Sequence, residues 1–328
     1  MYVYVINKHG QPIMPCKPQK ARVLLQKHKA AVVKQVPFTI RLLYGSSGYK
    51  QPISLGMDAG SRHIGIAATT EKKVLYAEEL SPRNDVVKLL SVRRQDRKAR
   101  RNRKTHYRQA RFDNRVSSKP KGWIAPSVEV KIQEHISAVL RIQKMLPISE
   151  IHVETAERGK SYRDAAFMGI MRKAMVSQLR KLVDIPVTET YGYITKYYRE
   201  LYHVEKSHIN DAVMISKNFE ATADDTYYVS KAVRHHNRQL HKNTILKSGV
   251  RKRNQEPHVV KGFRLFDLVK YEGNYYYVFG RRNNGFMDIR TLDGKKANKG
   301  SISNKRLKFV STSKGMLVER RKAIPLAD

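Results

Sequence analysis

The chain has 328 residues, with 65 Lys and Arg against 28 Asp and Glu, a formal net charge of +37 and a pI near 10.3. Such a surface releases counterions from phosphate backbones, so the composition points to nucleic acid and to binding that weakens steeply with salt. The single cysteine, Cys16, excludes an intramolecular disulfide and any zinc site built on Cys pairs, and no run of about 18 apolar residues exists to cross a membrane.

The opening MYVYVINKHG lacks the long apolar core of a secretion signal, which predicts a cytoplasmic protein. With 41% hydrophobic residues the chain can bury a real core, divided among two or three small domains. Residues 1–50 read as a compact module. Residues 2–6 alternate as a strand, His9-Gly10 forms a turn, and 17–29 carry Ala21, Leu24 and Leu25 at helical spacing. Two short strands follow at 31–36 and 38–44 before the loop GSSGYKQP.

From Ile53 the texture changes to SLGMDAGSRHIGIAATTEKKVLYAEEL, which reads as a three-stranded antiparallel meander. Asp58 interrupts the first apolar strand just before its turn. A carboxylate there must be solvated, paired or metal-bound, because burying it alone costs too much.

Residues 93–115 hold nine Arg and two Lys against two Asp. Arg93, Arg97, Arg100, Arg101, Lys104, Arg108, Arg111 and Arg115 recur mostly every three or four residues, along one side of a helix, while Arg94, Lys98 and Arg103 make the opposite side basic. No apolar stripe exists to hold such a helix by packing, and its charges repel unless a polyanion neutralises them. Arg in excess over Lys favours close phosphate contact. A solvated basic linker is the competing reading.

After the loop SSKPKGWIAPS, Ser127 reads as the N-cap of a helix to about residue 145, with Ile132, Ile136, Val139, Leu140 and Ile142 on its apolar side. A short strand ending near Glu154, a helix over 167–183, a strand over 185–190 and a helix over 207–219 follow, the last with His208 and Asp211 in its first turn. Three strands, helix, strand, helix, strand, helix is the element order of an RNase H-like core. The basic helix is then an insertion between the third strand and the first core helix.

The section after residue 221 is basic and punctuated by glycine. Residues 235–255, with Arg251 and Arg253, read as irregular and phosphate-facing. Beyond them, strands separated by turns at Glu272-Gly273, Asn284-Gly285 and Asp293-Gly294 predict a small β-barrel, with Arg281 and Arg282 as further nucleic-acid contacts. Tyr275, Tyr276, Tyr277 and Phe279 either stack on bases or fill the strand core.

Asp58, Glu154 and Asp211 close three different elements that this order brings to one sheet edge. Hard oxygen ligands select Mg²⁺, with Mn²⁺ as substitute, and two such ions about 3.5–4 Å apart stabilise the attacking and leaving oxygens of a phosphodiester displacement. His208, one turn before Asp211, is placed to take a proton from the attacking water. Taken alone, Asp58 is as often structural, Glu154 is a strand-end carboxylate with Glu157 as substitute, and His208 is an exposed helix-cap histidine.

MDAGSRHIGIA resembles the first RuvC motif, IHVET the second and HINDAVMI the third. The opening VYVINKHGQPIMPCKPQKARVLLQKHKAAVV resembles the PLMP domain of the transposon-encoded IscB nucleases, with PIMP departing by one residue from the usual signature. RRQDRKARRNRK resembles their arginine-rich bridge helix, and NRQLHKNTILKSGVRKRN with VFGRRNNGF their C-terminal target-binding region. Only 53 residues separate Glu154 from His208, without the His-Asn-His nuclease that IscB carries there, and without Cys pairs for the zinc knuckle of TnpB relatives. The resemblance is therefore to IsrB, the HNH-lacking, RuvC-only group.

That resemblance implies an α/β fold: an RNase H-like (RuvC) mixed sheet flanked by helices, a small N-terminal α+β domain and a C-terminal β-barrel-like domain. The implied divisions are 1–50, PLMP-like; 51–92, first RuvC part; 93–118, bridge helix; 119–222, remaining RuvC parts; and 223–328, target-binding. It implies a monomer bound to a non-coding guide RNA (omega RNA) in a prokaryotic cytoplasm, associated with the nucleoid when on DNA. Such a particle opens matching double-stranded DNA beside a short motif and nicks the displaced strand, with Asp58, Glu154, Asp211 and His208 at two Mg²⁺ ions and the bridge-helix arginines along the guide. Two other readings stay open: an unguided structure-selective nuclease, and a non-catalytic RNA- or DNA-binding repressor.

Overall fold

The computed structural model describes residues 2–45, 47–102, 119–155, 165–234, 257–298 and 300–322, with backbone alone at 100, 101, 165 and 166. The first module is a four-stranded sheet with one helix: β1 (Val3–Ile6), β2 (Pro12–Cys16), α1 (Pro18–Gln26), β3 (Ala30–Lys34) and β4 (Thr39–Leu42), in the order β2-β1-β4-β3. Strand β2 carries PIMP and was not expected as a strand. Its two prolines are tolerated because β2 lies at the sheet edge, where a missing N–H costs no ladder bond on the open side.

A seven-stranded sheet forms the centre. Strands β5 (Ser54–Asp58), β6 (Ile64–Thr69) and β7 (Val74–Ser81) are the predicted antiparallel meander. β8 (Glu150–Thr155) joins β5 in parallel, and β9 (Val187–Tyr191) joins β8. On the far side β10 (Thr226–Ala232) runs parallel to β7 and pairs antiparallel with β16 (Met316–Lys322), giving the order β16-β10-β7-β6-β5-β8-β9. The section after residue 221 thus extends the central sheet as well as building its own unit.

Every residue of β5 and β6 is buried, so both faces of the sheet are covered. The alternation along these strands sorts large from small. Leu55, Met57, Ile64, Ile66 and Ala68 face α3 (Pro126–Gln143) and α4 (Ala165–Leu182) in the main core, with Ile132, Ile136, Ile142, Met171 and Leu179. Each of the buried isoleucines contributes about 2–3 kcal/mol. The opposite face offers Gly56, Gly65, Ala67 and Ala77, and there α6 (His208–Ile215) lies almost on the backbone. A Cβ at Gly65 would sit 1.7 Å from the His208 carbonyl oxygen, and one at Gly56 would sit 2.0 Å from that of Ala212. Two glycines therefore set the depth at which α6 is seated.

Helix α3 starts at Pro126 with Ala125 as its N-cap, not Ser127. Proline at the first helical position needs no N–H and comes with helical φ, so the start falls two residues earlier. Between β9 and α6 lies an unexpected helix, α5 (Gly192–Leu201), held by Tyr198 and Tyr202 stacking on Phe219 at ring centroid distances of 4.1 and 5.4 Å. The basic helix α2 (Val86–Asn102) begins seven residues before the expected start at 93 and is exposed along nearly its whole described length.

The C-terminal unit is a five-stranded antiparallel sheet: β11 (Leu268–Tyr271), β12 (Asn274–Arg281), β13 (Phe286–Arg290), β14 (Ile302–Ser303) and β15 (Lys308–Ser311). Its order is β14-β13-β12-β11-β15, with β14 and β15 at opposite edges, so among the described residues it is an open sheet where a small barrel was expected. The predicted turns are present: Gly273, Gly285 and Gly294 have φ of +83°, +89° and +86°.

One buried ionic cluster joins the layers. Glu78 of β7 is fully buried, and Arg141 Nη2 of α3 donates to both its oxygens at 2.6 Å. Tyr76 donates to the same carboxylate at 2.8 Å, and Ser230 of β10 donates as well. Removing either charge would strand the other in the core. Among the described residues, no helix is long and apolar enough to cross a membrane.

Candidate active site

Met57 of β5 pairs with Val153 of β8, so the next residues, Asp58 and Glu154, stand side by side on neighbouring parallel strands about 4.8 Å apart. Asp58 also pairs with Gly65 of β6, the residue whose missing side chain admits the start of α6. That helix begins with Ser207 accepting the Asn210 N–H at 3.0 Å, which fixes the first turn carrying His208 and Asp211. His208 Nδ1 consequently lies 2.6 Å from Asp58 Oδ2. The predicted four residues share one end of the sheet.

Each acid has a local partner. Thr195 of α5 donates to Glu154 Oε2 at 2.9 Å, and Gly192 leaves room for that carboxylate. Arg199 of α5 faces Asp211 Oδ1 at 3.5 Å, and both atoms are buried without a hydrogen bond of their own. Arg172 of α4 donates to the Ala59 carbonyl at 3.0 Å, beside the acids. Burial pushes the Glu154 carboxyl up, and the charges of Asp58 and Asp211 push it further. Burial raises Asp211 too, with Asp58 adding to the effect and Arg199 opposing it. For His208, the hydrogen bond to Asp58 outweighs burial and raises the imidazole above its ordinary value.

Among the described residues, no three His, Cys, Asp or Glu side chains are gathered closely enough to hold a metal ion between them as they stand. The donor chemistry nevertheless fits a hard divalent cation: three carboxylates, two of them disfavoured in their charged form, and a buried Asp211 oxygen that lacks a hydrogen bond. Asp58, Glu154 and Asp211 are the residues that would hold it, with Arg199 as the present counter-charge of Asp211.

His63 was not picked out from the sequence. Its ring stacks on His208 at 5.3 Å and 12°, and its Nδ1 lies 2.8 Å from Glu79 Oε1. A second His on the loop after Asp58 was the available signal. Thr195 and Arg199 gave none, because the helix that carries them was not foreseen.

Of the predicted nucleic-acid contacts, Arg93, Arg94 and Arg97 are exposed on α2, and Arg97 Nε donates to the Arg93 carbonyl at 3.2 Å. Arg100 and Arg101 follow on its backbone, whereas Arg103, Lys104, Arg108, Arg111, Arg115, Arg251, Arg253 and Glu157 lie outside the described residues. Arg282 is exposed, but Arg281 Nη1 donates to the carbonyls of His258 and Phe263 at 2.5 and 3.3 Å and so braces the main chain. Tyr277 is core, donating to the Val318 carbonyl at 2.7 Å, and Tyr276 and Phe279 pack partly buried, which leaves Tyr275 exposed.

Fold and site define a mixed α/β protein with three carboxylates and a histidine gathered at the C-terminal ends of two interior strands of its central sheet. Residues 3–159 match the family described as RRXRR protein. No curated protein matches the chain. Among solved structures it is similar to T. thermophilus RuvC in complex with Holliday junction substrate, at 12% identity over 51% of this chain and 92% of that one, with a TM-score of 0.33. It is also similar to the yeast mitochondrial Holliday junction resolvase Ydc2, at 8% identity over 52% and 80% of the two chains (TM-score 0.27). Campylobacter jejuni Cas9 in complex with sgRNA and target DNA is similar at 18% identity over 61% of this chain and 31% of that one (TM-score 0.27).

Proposed function

We propose that the protein is a metal-dependent DNA endonuclease of RuvC type that works with a guide RNA and nicks the displaced strand of a matched duplex. The observation that carries the nuclease reading is the 2.6 Å contact between His208 and Asp58 at the end of the sheet shared with Glu154 and Asp211. Asp58 holds the Nδ1 proton of His208, which leaves Nε2 as the acceptor for a proton from attacking water. The imidazole is 44% exposed, so water and substrate can approach it. A divalent ion bound by the three carboxylates would stabilise negative charge developing on the phosphate oxygens. Arg172 and Arg199 offset the carboxylate charge until then.

The guide and the nicking outcome rest on the motif resemblance, which a net charge of +37 and the exposed basic helix α2 support. The implied division into 1–50, 51–92, 93–118, 119–222 and 223–328 belongs to the same proposal, as do omega RNA and double-stranded DNA as partners. The test is to purify the protein together with RNA transcribed beside its gene, sequence that RNA, and assay matched duplexes labelled on either strand. Cutting restricted to the non-complementary strand supports the reading. Cutting of branched DNA without RNA would replace it by the unguided nuclease.

A further inference from the structure

Helix α5 is anchored by one face and leaves another bare. Tyr198 and Tyr202 stack on Phe219, and Thr195 reaches Glu154, so these residues account for the packing of the helix. Tyr191, Tyr193 and Tyr197 are 38%, 53% and 60% exposed, and of the three only Tyr197 touches that cluster, its ring edge-on to Tyr198 at 5.3 Å. The rings of Tyr191 and Tyr193 are nearly parallel, 8° apart with centroids at 6.1 Å. Tyr197 follows Tyr193 by one helical turn, on the same side.

The position of this pair is as telling as its exposure. Tyr191 is in register with Thr155, one residue beyond Glu154 on β8. Gly192, between the two tyrosines, lies against the same carboxylate: a Cβ there would come within 3.4 Å of Glu154 Oε1. Two nearly parallel, exposed rings thus flank the glycine that lies against a candidate catalytic acid, in a chain whose charge of +37 draws phosphate backbones to its surface.

We infer that Tyr191 and Tyr193 form a base-stacking platform for single-stranded DNA, seating one or two unpaired bases beside the phosphate to be cut. A base offers a flat π-face of any sequence to such rings, so the platform would hold a strand without reading it. A paired duplex hides those faces within its own stack. The site would therefore favour a strand already separated from its complement. The inference rests on the nuclease reading for why a strand lies there, but binding by the platform needs no cleavage.

The experiment uses the full-length protein in EDTA and two fluorescent probes of equal length, an oligothymidylate and an abasic strand with the same phosphates, followed by anisotropy. The double variant Tyr191→Ala/Tyr193→Ala is expected to bind the oligothymidylate about 10-fold more weakly and the abasic strand as the native protein does. Tyr191→Phe/Tyr193→Phe, which keeps both ring faces, is expected to bind both probes normally and to guard against misfolding. Equal loss for the two probes, or loss for neither, overturns the platform. Failure of the protein to cut DNA would refute the nuclease reading while leaving this differential to be seen or not.

Discussion

His208 Nδ1 and Asp58 Oδ2 meet at 2.6 Å across 150 residues of sequence. The contact couples the end of the first central strand to the start of the last core helix, and it fixes the imidazole in one tautomer.

Replacing His208 by Asn should lower cleavage by about 10²–10⁴-fold, the usual worth of a positioned base, while leaving divalent-ion binding in place. Asp58→Asn should lose both. Single-turnover cleavage alongside Mn²⁺ titration by electron paramagnetic resonance separates the two, and loss of ion binding in His208→Asn would place the imidazole among the ligands instead.

Glu154→Gln should abolish cleavage without lowering stability. A carboxyl whose pKa is raised on folding holds its proton more tightly in the folded state, so its ionised form at neutral pH weighs against folding; the neutral amide removes that weight. Thermal melting should show a midpoint that is unchanged or raised by no more than about 3 °C. A clear drop would mean that the charge is a structural partner.

The seating of α6 depends on the absence of two side chains. Gly65→Ala places a methyl 1.7 Å from the His208 carbonyl oxygen, so the helix must lift from the sheet and carry His208 away from Asp58. The expected cost is about 1–3 kcal/mol in chemical denaturation, together with loss of cleavage. Wild-type stability in Gly65→Ala would contradict the observed packing.

These glycines show how far the sequence could be read. Strand alternation made the meander and Asp58 legible, and the acids could be ordered along an RNase H-like pattern. The seating of α6 was not legible, because Gly56 and Gly65 look like ordinary strand breaks until a helix is known to cross them. Helix α5 escaped notice because its packing face is made of tyrosines, which also suit strands. The joining of β10 and β16 to the central sheet depends on residue 228 meeting residues 78 and 320, which no local pattern encodes. The burial of Glu78 against Arg141 is equally non-local.

His135 of α3 gives a pH dependence separate from the acidic site. It is fully buried, its Nδ1 donates to the Lys131 carbonyl at 2.7 Å, and burial lowers its pKa from 6.5 to about 4. The unfolded chain therefore binds the proton first. The stabilisation is complete above about pH 6.5 and is lost as pH falls toward 4, by on the order of 3 kcal/mol in all. Melting curves across that range should show a smaller acid loss in His135→Gln than in the native protein. Identical slopes would mean that other groups govern the acid limb.

The central claim is that Asp58, Glu154 and Asp211 act together on a divalent ion to cut a phosphodiester. Its most direct test is cleavage of strand-labelled matched DNA by the protein purified together with RNA transcribed beside its gene, in Mg²⁺, in Ca²⁺ and in EDTA, with Glu154→Gln beside the native chain. The account predicts a cut by the native chain in Mg²⁺, little in Ca²⁺, whose looser coordination suits the site poorly, and none in EDTA or in the variant. Equal cutting by Glu154→Gln, or cutting that persists in EDTA, would contradict it.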